Sequence, residues 1–234
     1  MSEFARIRVA IVAAMEREVH GLTRNWRITE RQHEGRNFRF FEHGDVVLVC
    51  GGIGAQAARR AAEAAISLYS PSVIYSVGFA GALEARLKVA DVIQPELVIN
   101  ANDGSRTALH GGSGILLSFG SVASPEQKAK LRESFGAQLV DMEAAAVAQA
   151  AQARGVEFAA VKSISDEFDF ALPAMERFVD SAGQFQQLRF AFFAALRPWL
   201  WPELLQLAGN SNRAAYALCD RLRASLDRVV TPAK

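Results

Sequence analysis

The sequence predicts an α/β fold, a single three-layer αβα domain around a central mixed, mostly parallel twisted sheet. Three observations predict it. Short apolar or β-branched runs alternate with helical segments, the turns between them are short, and no linker, repeat or low-complexity tract divides the 234 residues. Half of the residues are hydrophobic, so one substantial core can be buried. We therefore expect one domain that spans residues 1–234.

Apolar runs and turn residues define the elements of the first half. Ile7–Ala14 is apolar and β-branched, as expected of a buried parallel strand, and a helix opens at Met15 and continues towards Trp26. The strands Phe38–Phe41 and Val46–Cys50 are joined by a hairpin turn. A glycine turn at Gly51–Gly54 leads into a helix at Ala55–Tyr69 and a strand at Val73–Val77. A flexible turn is predicted at Gly78–Ala82, and Asp91–Asn100 contains the next strand.

The second half continues the alternation. Ser124 and Pro125 are typical N-cap and first-turn residues of a charged helix that runs to Phe135. A loop, a strand, an alanine-rich helix and a buried strand are predicted over Asn102–Gly114, Ile115–Ser118, Ala144–Ala153 and Phe158–Ile164. From Pro173 to the end the pattern is helical.

Composition excludes several classes of function. A net charge of +1 gives no support for nucleic acid as a partner. Cys50 and Cys219 are far apart and predict free thiols rather than a disulfide framework, and the apolar run at the start is too short for a signal peptide, so we expect a cytoplasmic protein. The four histidines show no metal-ligand spacing, and we expect no metal and no organic cofactor.

Acidic residues cluster at the ends of two elements. Asp141 and Glu143 stand between a short apolar run and the alanine-rich helix, and Asp166 and Asp169 follow the apolar run that ends at Ile164. Open α/β sheets bind ligands at the carboxyl ends of their strands, so these carboxylates predict an enzyme site. For Asp141 and Glu143, N-capping of the helix is the alternative interpretation, and the two roles are compatible.

The turn GGIGAQAA matches part of a dinucleotide-binding fingerprint at Gly52, Gly54 and Ala57. A single match of this kind is a weak signal. The next strand ends at Val77 without the carboxylate that would hold a ribose, which argues against a nicotinamide or flavin enzyme.

Three motifs carry a family resemblance. AAMEREV, GFAGALEARLKVADVI and the pair VDMEAAAVAQ and VKSISDEFD resemble the nucleoside phosphorylase and nucleosidase family, in particular its 5'-methylthioadenosine/S-adenosylhomocysteine nucleosidase branch. The resemblance spans Ile7 to about Asp169. It implies a nucleoside phosphorylase-like fold and a nucleosidase that hydrolyses the N-ribosidic bond of a purine nucleoside of the adenosine type, releasing the base.

The resemblance also implies roles for individual residues. Glu18 matches the glutamate that positions the hydrolytic water, and Glu143 matches the one that binds the ribose hydroxyls. Met142 corresponds to a methionine that packs along sugar and base. Asp166 matches the general acid at the purine N7, and Ser165 is expected to orient it. Taken alone, AAMEREV is better explained as an exposed first turn of a helix, where carboxylates suit the helix dipole; the other two motifs, in the right order, favour the functional role of Glu18.

Two further stretches are implied to contact substrate. Gly78, Phe79 and Ala80 belong to a turn that the family places near the ribose and the attacking oxygen, and Phe79 stands where a serine or threonine is usual. Val122 lies in Gly120–Ala123, where the family places a phenylalanine that stacks on adenine.

Two functional alternatives stay open. The family's phosphorylase branch carries an arginine loop for phosphate that this sequence lacks, which favours water over a phosphorylase reaction that yields ribose 1-phosphate. A non-catalytic nucleoside-binding protein is the other alternative.

The segment Phe185–Leu207 is dense in aromatic residues and leucine. It predicts a buried or homodimer-forming helix. The alternative is a surface that binds an apolar 5'-substituent or contacts the surface of a membrane without crossing it. This segment and the short Asn100–Ile115 region resemble the hopanoid-associated nucleosidase and phosphorylase relatives, which implies an adenosyl-lipid substrate.

Overall fold

The computed structural model describes residues 7–171 and 201–230. In these residues one mixed sheet is flanked by helices. The strands are β1 Val9–Ala13, β2 Arg27–His33, β3 Arg36–His43, β4 Val46–Cys50, β5 Val73–Ala82, β6 Val92–Ile93, β7 Leu97–Asn100, β8 Arg106–Ala108, β9 Ile115–Ser118, β10 Leu139–Asp141 and β11 Glu157–Asp166. The helices are α1 Glu16–Thr23, α2 Ala55–Tyr69, α3 Pro125–Phe135, α4 Ala144–Gln152 and α5 Trp201–Val230.

The strand order is β2-β3-β4-β1-β5-β10-β9-β7-β8, and β11 lies parallel to β5 along its length. The central pairings β4-β1, β1-β5, β5-β11, β10-β9 and β9-β7 are parallel, whereas the outer pairs β2-β3 and β7-β8 are antiparallel. The prediction of a three-layer α/β fold around a mixed sheet is therefore confirmed. Because β1, β5 and β11 are parallel, their carboxyl ends lie at one edge of the sheet. β10 is antiparallel to the end of β5, at Gly81 and Ala82.

The core lies on both faces of the sheet. The alanine-rich helices α2 and α4 pack together on one face, where small side chains allow close approach. On the other face α1 contributes Val19 and Leu22, and α5 contributes Leu218 and Leu222. Within residues 7–171 and 201–230, no helix has the length and apolar character needed to cross a bilayer.

Two strands differ from the sequence prediction. Arg27–His33 forms β2, although its residues are mostly exposed and polar, and the helix predicted to reach Trp26 ends at Thr23. Arg106–Ala108 forms β8 inside the predicted loop. Both strands are antiparallel neighbours in outer pairs of the sheet, and an exposed strand of this kind is formed by pairing with its neighbour rather than by an apolar pattern.

The predicted turn Gly78–Ala82 is wrong, because these residues continue β5 to Ala82. They pair with β11 on one side and, at Gly81 and Ala82, with β10. Tertiary pairing on both sides thus overrides the flexibility that two glycines and two alanines suggest.

The apolar segment Phe185–Leu207 is only partly covered, since 185–200 lie outside the described residues and 201–207 belong to α5. The docking and dimer interpretations of this segment stay predictions. So does the assignment of a single domain to all of residues 1–234.

Candidate active site

A cavity of about 420 Å³ opens at the carboxyl ends of β1, β5, β10 and β11. It is bordered by the start of α1, the glycine turn before α2, the segment before α3 and one face of α5. The predicted site residues that line it are Glu18, Phe79, Ala80, Val122, Met142, Glu143, Ser165 and Asp166. The structure thus brings together carboxylates that are 125 and 148 positions apart from Glu18 in sequence, at Glu143 and Asp166.

Glu18 is a buried carboxylate held by backbone amides. Its Oε2 accepts hydrogen bonds from Ala14 N at 3.1 Å and Met15 N at 3.0 Å, and its Oε1 accepts from Phe79 N at 3.4 Å. Glu18 is 2% exposed, so the interpretation of an exposed first turn is wrong for this residue. Burial raises the pKa of Glu18 above its ordinary value, although the Met15 hydrogen bond opposes the shift.

Gly78 does not line the cavity but lies against Glu18. Its φ of 142° lies in the region that favours glycine, and a Cβ atom there would stand 3.1 Å from Glu18 Oε2. Gly78 therefore gives the Glu18 carboxylate its space, which is a supporting position rather than the predicted contact with substrate.

Glu143 is likewise held by backbone N–H groups. Its Oε1 accepts from Gly54 N at 2.8 Å, and its Oε2 accepts from Met142 N at 3.2 Å. Burial, followed by repulsion from Asp141, raises the pKa of Glu143 to about 7. The glycine turn that resembled a dinucleotide motif thus presents the Gly54 N–H to this carboxylate.

Asp141 rather than Glu143 caps helix α4, since Asp141 Oδ2 accepts from Ala144 N at 2.9 Å. The same oxygen lies 2.8 Å from Lys162 Nζ, and Oδ1 accepts from Ser118 Oγ at 2.6 Å. Lys162 and Asp141 thus form a buried ion pair. Burial lowers the pKa of Lys162, but the charges of Asp141 and Glu143 outweigh it, so the net shift is upward.

Asp166 is held by side chains. Ser165 Oγ donates to Asp166 Oδ1 at 2.8 Å, and Lys128 Nζ donates to Asp166 Oδ2 at 2.5 Å. Asp166 is 4% exposed and Lys128 1%. Asp166 is thus one member of a buried ion pair with Lys128, which the sequence analysis did not predict.

Lys128 is the residue that the sequence analysis missed. It lies on α3, which the sequence analysis described only as a charged helix. The available signal was its spacing: Lys128 precedes Leu131 by three positions, so the two side chains share one face, and both are buried. Gly54 was considered only as part of a turn, and its N–H donor depends on a contact 89 residues away, which no local pattern reveals.

The walls of the cavity are largely apolar. Ile53, Phe79, Met142 and Val122 supply side chains that can pack against a flat base or a sugar. Leu207 of α5 adds to this surface. The carboxylates therefore face a site of the kind that binds a small molecule with few, well-placed polar groups.

Comparison with known proteins agrees with this geometry. The sequence model of the Phosphorylase superfamily matches residues 8–120 and 113–196, which together cover most of the chain. The chain belongs to the Phosphorylase superfamily. The predicted membership of the nucleoside phosphorylase and nucleosidase family is confirmed.

Among curated members of the superfamily, the 5'-methylthioadenosine/S-adenosylhomocysteine nucleosidase of Staphylococcus epidermidis is 27% identical over 197 residues, which cover 68% of this chain and 86% of the relative. A Colwellia psychrerythraea nucleosidase of the same name, solved in complex with adenine, aligns at 25% identity with a TM-score of 0.63 over 69% of this chain and 83% of that one.

The futalosine hydrolase of Helicobacter pylori aligns over 97% of this chain and 99% of its own, with a TM-score of 0.71. At 18% identity, this likeness shows the fold alone.

Proposed function

We propose that this protein is a nucleosidase that hydrolyses the N-ribosidic bond of a purine nucleoside of the adenosine type and releases the base. The observation that carries the proposal is the convergence of Glu18, Glu143 and Asp166 on one cavity with apolar walls. The superfamily membership and the likeness to nucleosidases support it.

Glu143 is proposed to bind the ribose. An ionised carboxylate can accept from two adjacent hydroxyls, and such charge-assisted bonds are strong. Met142, which precedes Glu143, is proposed to pack along the sugar and base. Its backbone N–H donates a hydrogen bond to the Glu143 carboxylate. Substrate binding by Ala80 and Phe79 is proposed on the same wall.

Glu18 is proposed to hold and activate the attacking water. Its raised pKa brings the carboxyl closer to neutral pH, where a general base is most effective. Three backbone N–H groups fix the orientation of the Glu18 carboxylate, so no side-chain donor is needed next to the attacking water.

Asp166 is proposed to assist the departing base at N7, with Ser165 orienting it. As the bond to the base breaks, the sugar develops positive charge and the base negative charge, so each end of the substrate needs a different partner. Val122 is proposed to contact the base at this end of the cavity.

A phosphorylase is the second candidate. The observation in its favour is Arg17, whose side chain lines the cavity next to Glu18 and could attract phosphate. Against it, Phe79 supplies no hydroxyl donor, and the buried carboxylates Glu18 and Glu143 repel an anion.

The decisive experiment incubates the purified full-length chain with adenosine, 5'-methylthioadenosine, S-adenosylhomocysteine and inosine, with and without phosphate. We expect free base and free sugar at a rate that does not depend on phosphate. Release of ribose 1-phosphate only when phosphate is added would establish the phosphorylase instead. Binding of adenine without turnover of any substrate would establish a nucleoside-binding protein.

We propose that the protein is a homodimer in the cytoplasm and that any contact with a membrane is limited to the membrane surface. Light scattering coupled to size-exclusion chromatography tests the dimer. Adenine release from an adenosyl-lipid in preference to 5'-methylthioadenosine would support the resemblance of the C-terminal segment to the hopanoid-associated relatives.

A further inference from the structure

Lys128 is a full positive charge in the protein interior. The side chain is 1% exposed, and α3 places it on the same face as Leu131, where an apolar residue would pack without a desolvation cost. Its ammonium donates to Asp166 Oδ2 at 2.5 Å and to the Glu167 carbonyl at 2.6 Å. Two of its three donors are thus used at the end of β11, and the side chain also lines the cavity.

The neighbouring strand is shaped around this ion pair. A Cβ atom at Gly81 of β5 would stand 2.8 Å from Asp166 Oδ2 and 3.3 Å from Lys128 Cε. Gly81 does not have a positive φ, so space rather than backbone conformation calls for glycine here. The strand therefore leaves room for both members of the pair at the wall of the cavity.

The pair matters because of what happens to the base. When the N-ribosidic bond breaks, electrons of the bond stay on the base, and negative charge develops there. A lone carboxylate at Asp166 would repel that charge. A cation fixed beside the carboxylate cancels the repulsion, and in a buried site such preorganised charge acts more strongly than it does in water.

We propose that Lys128 is a positioning residue for the base-side half of the reaction. Its ammonium fixes the Asp166 carboxyl at the cavity wall, together with Ser165, and neutralises the repulsion between that carboxylate and the departing base, so that Lys128 acts only through Asp166. This inference rests on the proposed nucleosidase function and extends it to a residue on α3, an element that carries none of the predicted site residues.

The test is a double-mutant cycle of Lys128→Met and Asp166→Asn, assayed with the best nucleoside of the panel below the melting temperature of each variant. Met matches the length of the lysine stem without its charge. We expect K128M to lower kcat roughly 10- to 100-fold, with KM changed less than about threefold, because the charge acts as the bond breaks. In the D166N background, K128M should lower kcat no further.

Controls separate this role from a structural one. Lys130 lies on the same helix and is exposed, so Lys130→Met should keep wild-type kcat and KM. Lys128→Arg keeps the charge and should retain more activity than K128M. Should K128M fail to fold because it strands a buried carboxylate, the comparison of K128M/D166N, which strands no charge, with D166N still decides.

Three results would overturn the proposal: wild-type kcat in K128M, a change confined to KM, or a further loss of at least tenfold in kcat when K128M is added to D166N. Each of these leaves the nucleosidase function standing, since the wild-type chain would still release base. Absence of turnover by the wild-type chain over the whole panel would instead remove the proposed function itself.

Discussion

The two ends of the cavity hold their carboxylates in different ways. At the end proposed to bind the sugar (the sugar end), Glu18 and Glu143 accept hydrogen bonds from backbone N–H groups. At the end proposed to bind the base (the base end), Asp166 accepts from the side chains of Ser165 and Lys128. Backbone donors are neutral dipoles fixed by the fold, whereas the base end adds a full charge.

The difference follows from the chemistry proposed for each end. A carboxylate that activates water has to stay a good proton acceptor, and neutral donors orient it while burial raises its pKa, as found for Glu18. A carboxylate beside a departing anion needs a counter-charge, which only a side chain such as Lys128 supplies. The backbone therefore determines the orientation of the carboxylates at the sugar end. At the base end, the orientation of Asp166 depends on two side chains, each of which can be changed by a single substitution.

The largest expected effect comes from removing one carboxylate at each end. Glu18→Gln should lower kcat roughly 10²- to 10⁴-fold, the usual contribution of a general base. Asp166→Asn should lower kcat by a similar factor, because it removes the carboxyl that is proposed to contact the base. Steady-state kinetics on the panel nucleoside measures both, with Lys130→Met as the control. Wild-type kcat in either variant would remove that residue from the mechanism.

The stability of the D166N variant tests the ion pair at the base end. D166N leaves the buried Lys128 ammonium without its counter-ion, so it should lower the free energy of unfolding by about 3–5 kcal/mol. K128M/D166N should recover most of this loss, because it removes both charges. Denaturant unfolding measures the difference, and a double variant as unstable as D166N would contradict the ion-pair explanation.

The next effect concerns the two glycines of β5. Gly81→Ala places a Cβ atom 2.8 Å from Asp166 Oδ2, and Gly78→Ala places one 3.1 Å from Glu18 Oε2. Displacement of a reacting group by about 1 Å can cost about 100-fold in rate, so G81A should impair kcat to about that extent. G78A should impair it too and should also destabilise the fold, because φ at this position is 142°. Equal kcat in wild type and both variants would contradict the supporting roles.

A smaller effect depends on pH and belongs to the sugar end. The pKa of Glu143 is raised to about 7, so the folded chain binds this proton more tightly than the unfolded chain. The stability that Glu143 contributes is therefore complete below the ordinary pKa of 4.5 and is lost as the pH rises to about 7.

Glu143→Gln removes this dependence. Relative to the wild type, its free energy of unfolding should increase between pH 5 and pH 8 by at least about 1 kcal/mol, since one pKa unit corresponds to about 1.4 kcal/mol. Urea unfolding at the two pH values measures it. A constant difference between wild type and variant would show that Glu143 titrates normally.

The smallest effect lies outside both ends and serves as a stability control. Ala90 has a φ of 77°, in the left-handed region that favours glycine. Ala90→Gly should raise the free energy of unfolding by about 0.5–1 kcal/mol, because it relieves left-handed strain at some cost in chain entropy. Thermal unfolding measures this, and kcat should stay unchanged. A loss of stability would mean that the Ala90 methyl group contributes more by packing than it costs in strain.

Several features were determined by the sequence alone. Apolar runs placed β1, β4 and β9 to within a residue or two, and Ser124 with Pro125 fixed the start of α3. These features are local, because strand-forming runs and helix caps depend on residues within a few positions of each other. The family motifs, also local, pointed to Glu18, Glu143 and Asp166.

Only the tertiary structure decided the rest. Pairing with neighbours made strands of β2 and of Gly78–Ala82, and the packing of α3 buried Lys128 against Asp166, 38 positions away. Whether Glu143 or Asp141 caps α4 likewise depended on Gly54 and Lys162, which lie far from both in sequence. Hydrogen bonds and charge pairs of this range act between elements that only the folded sheet brings together, so no local pattern encodes them.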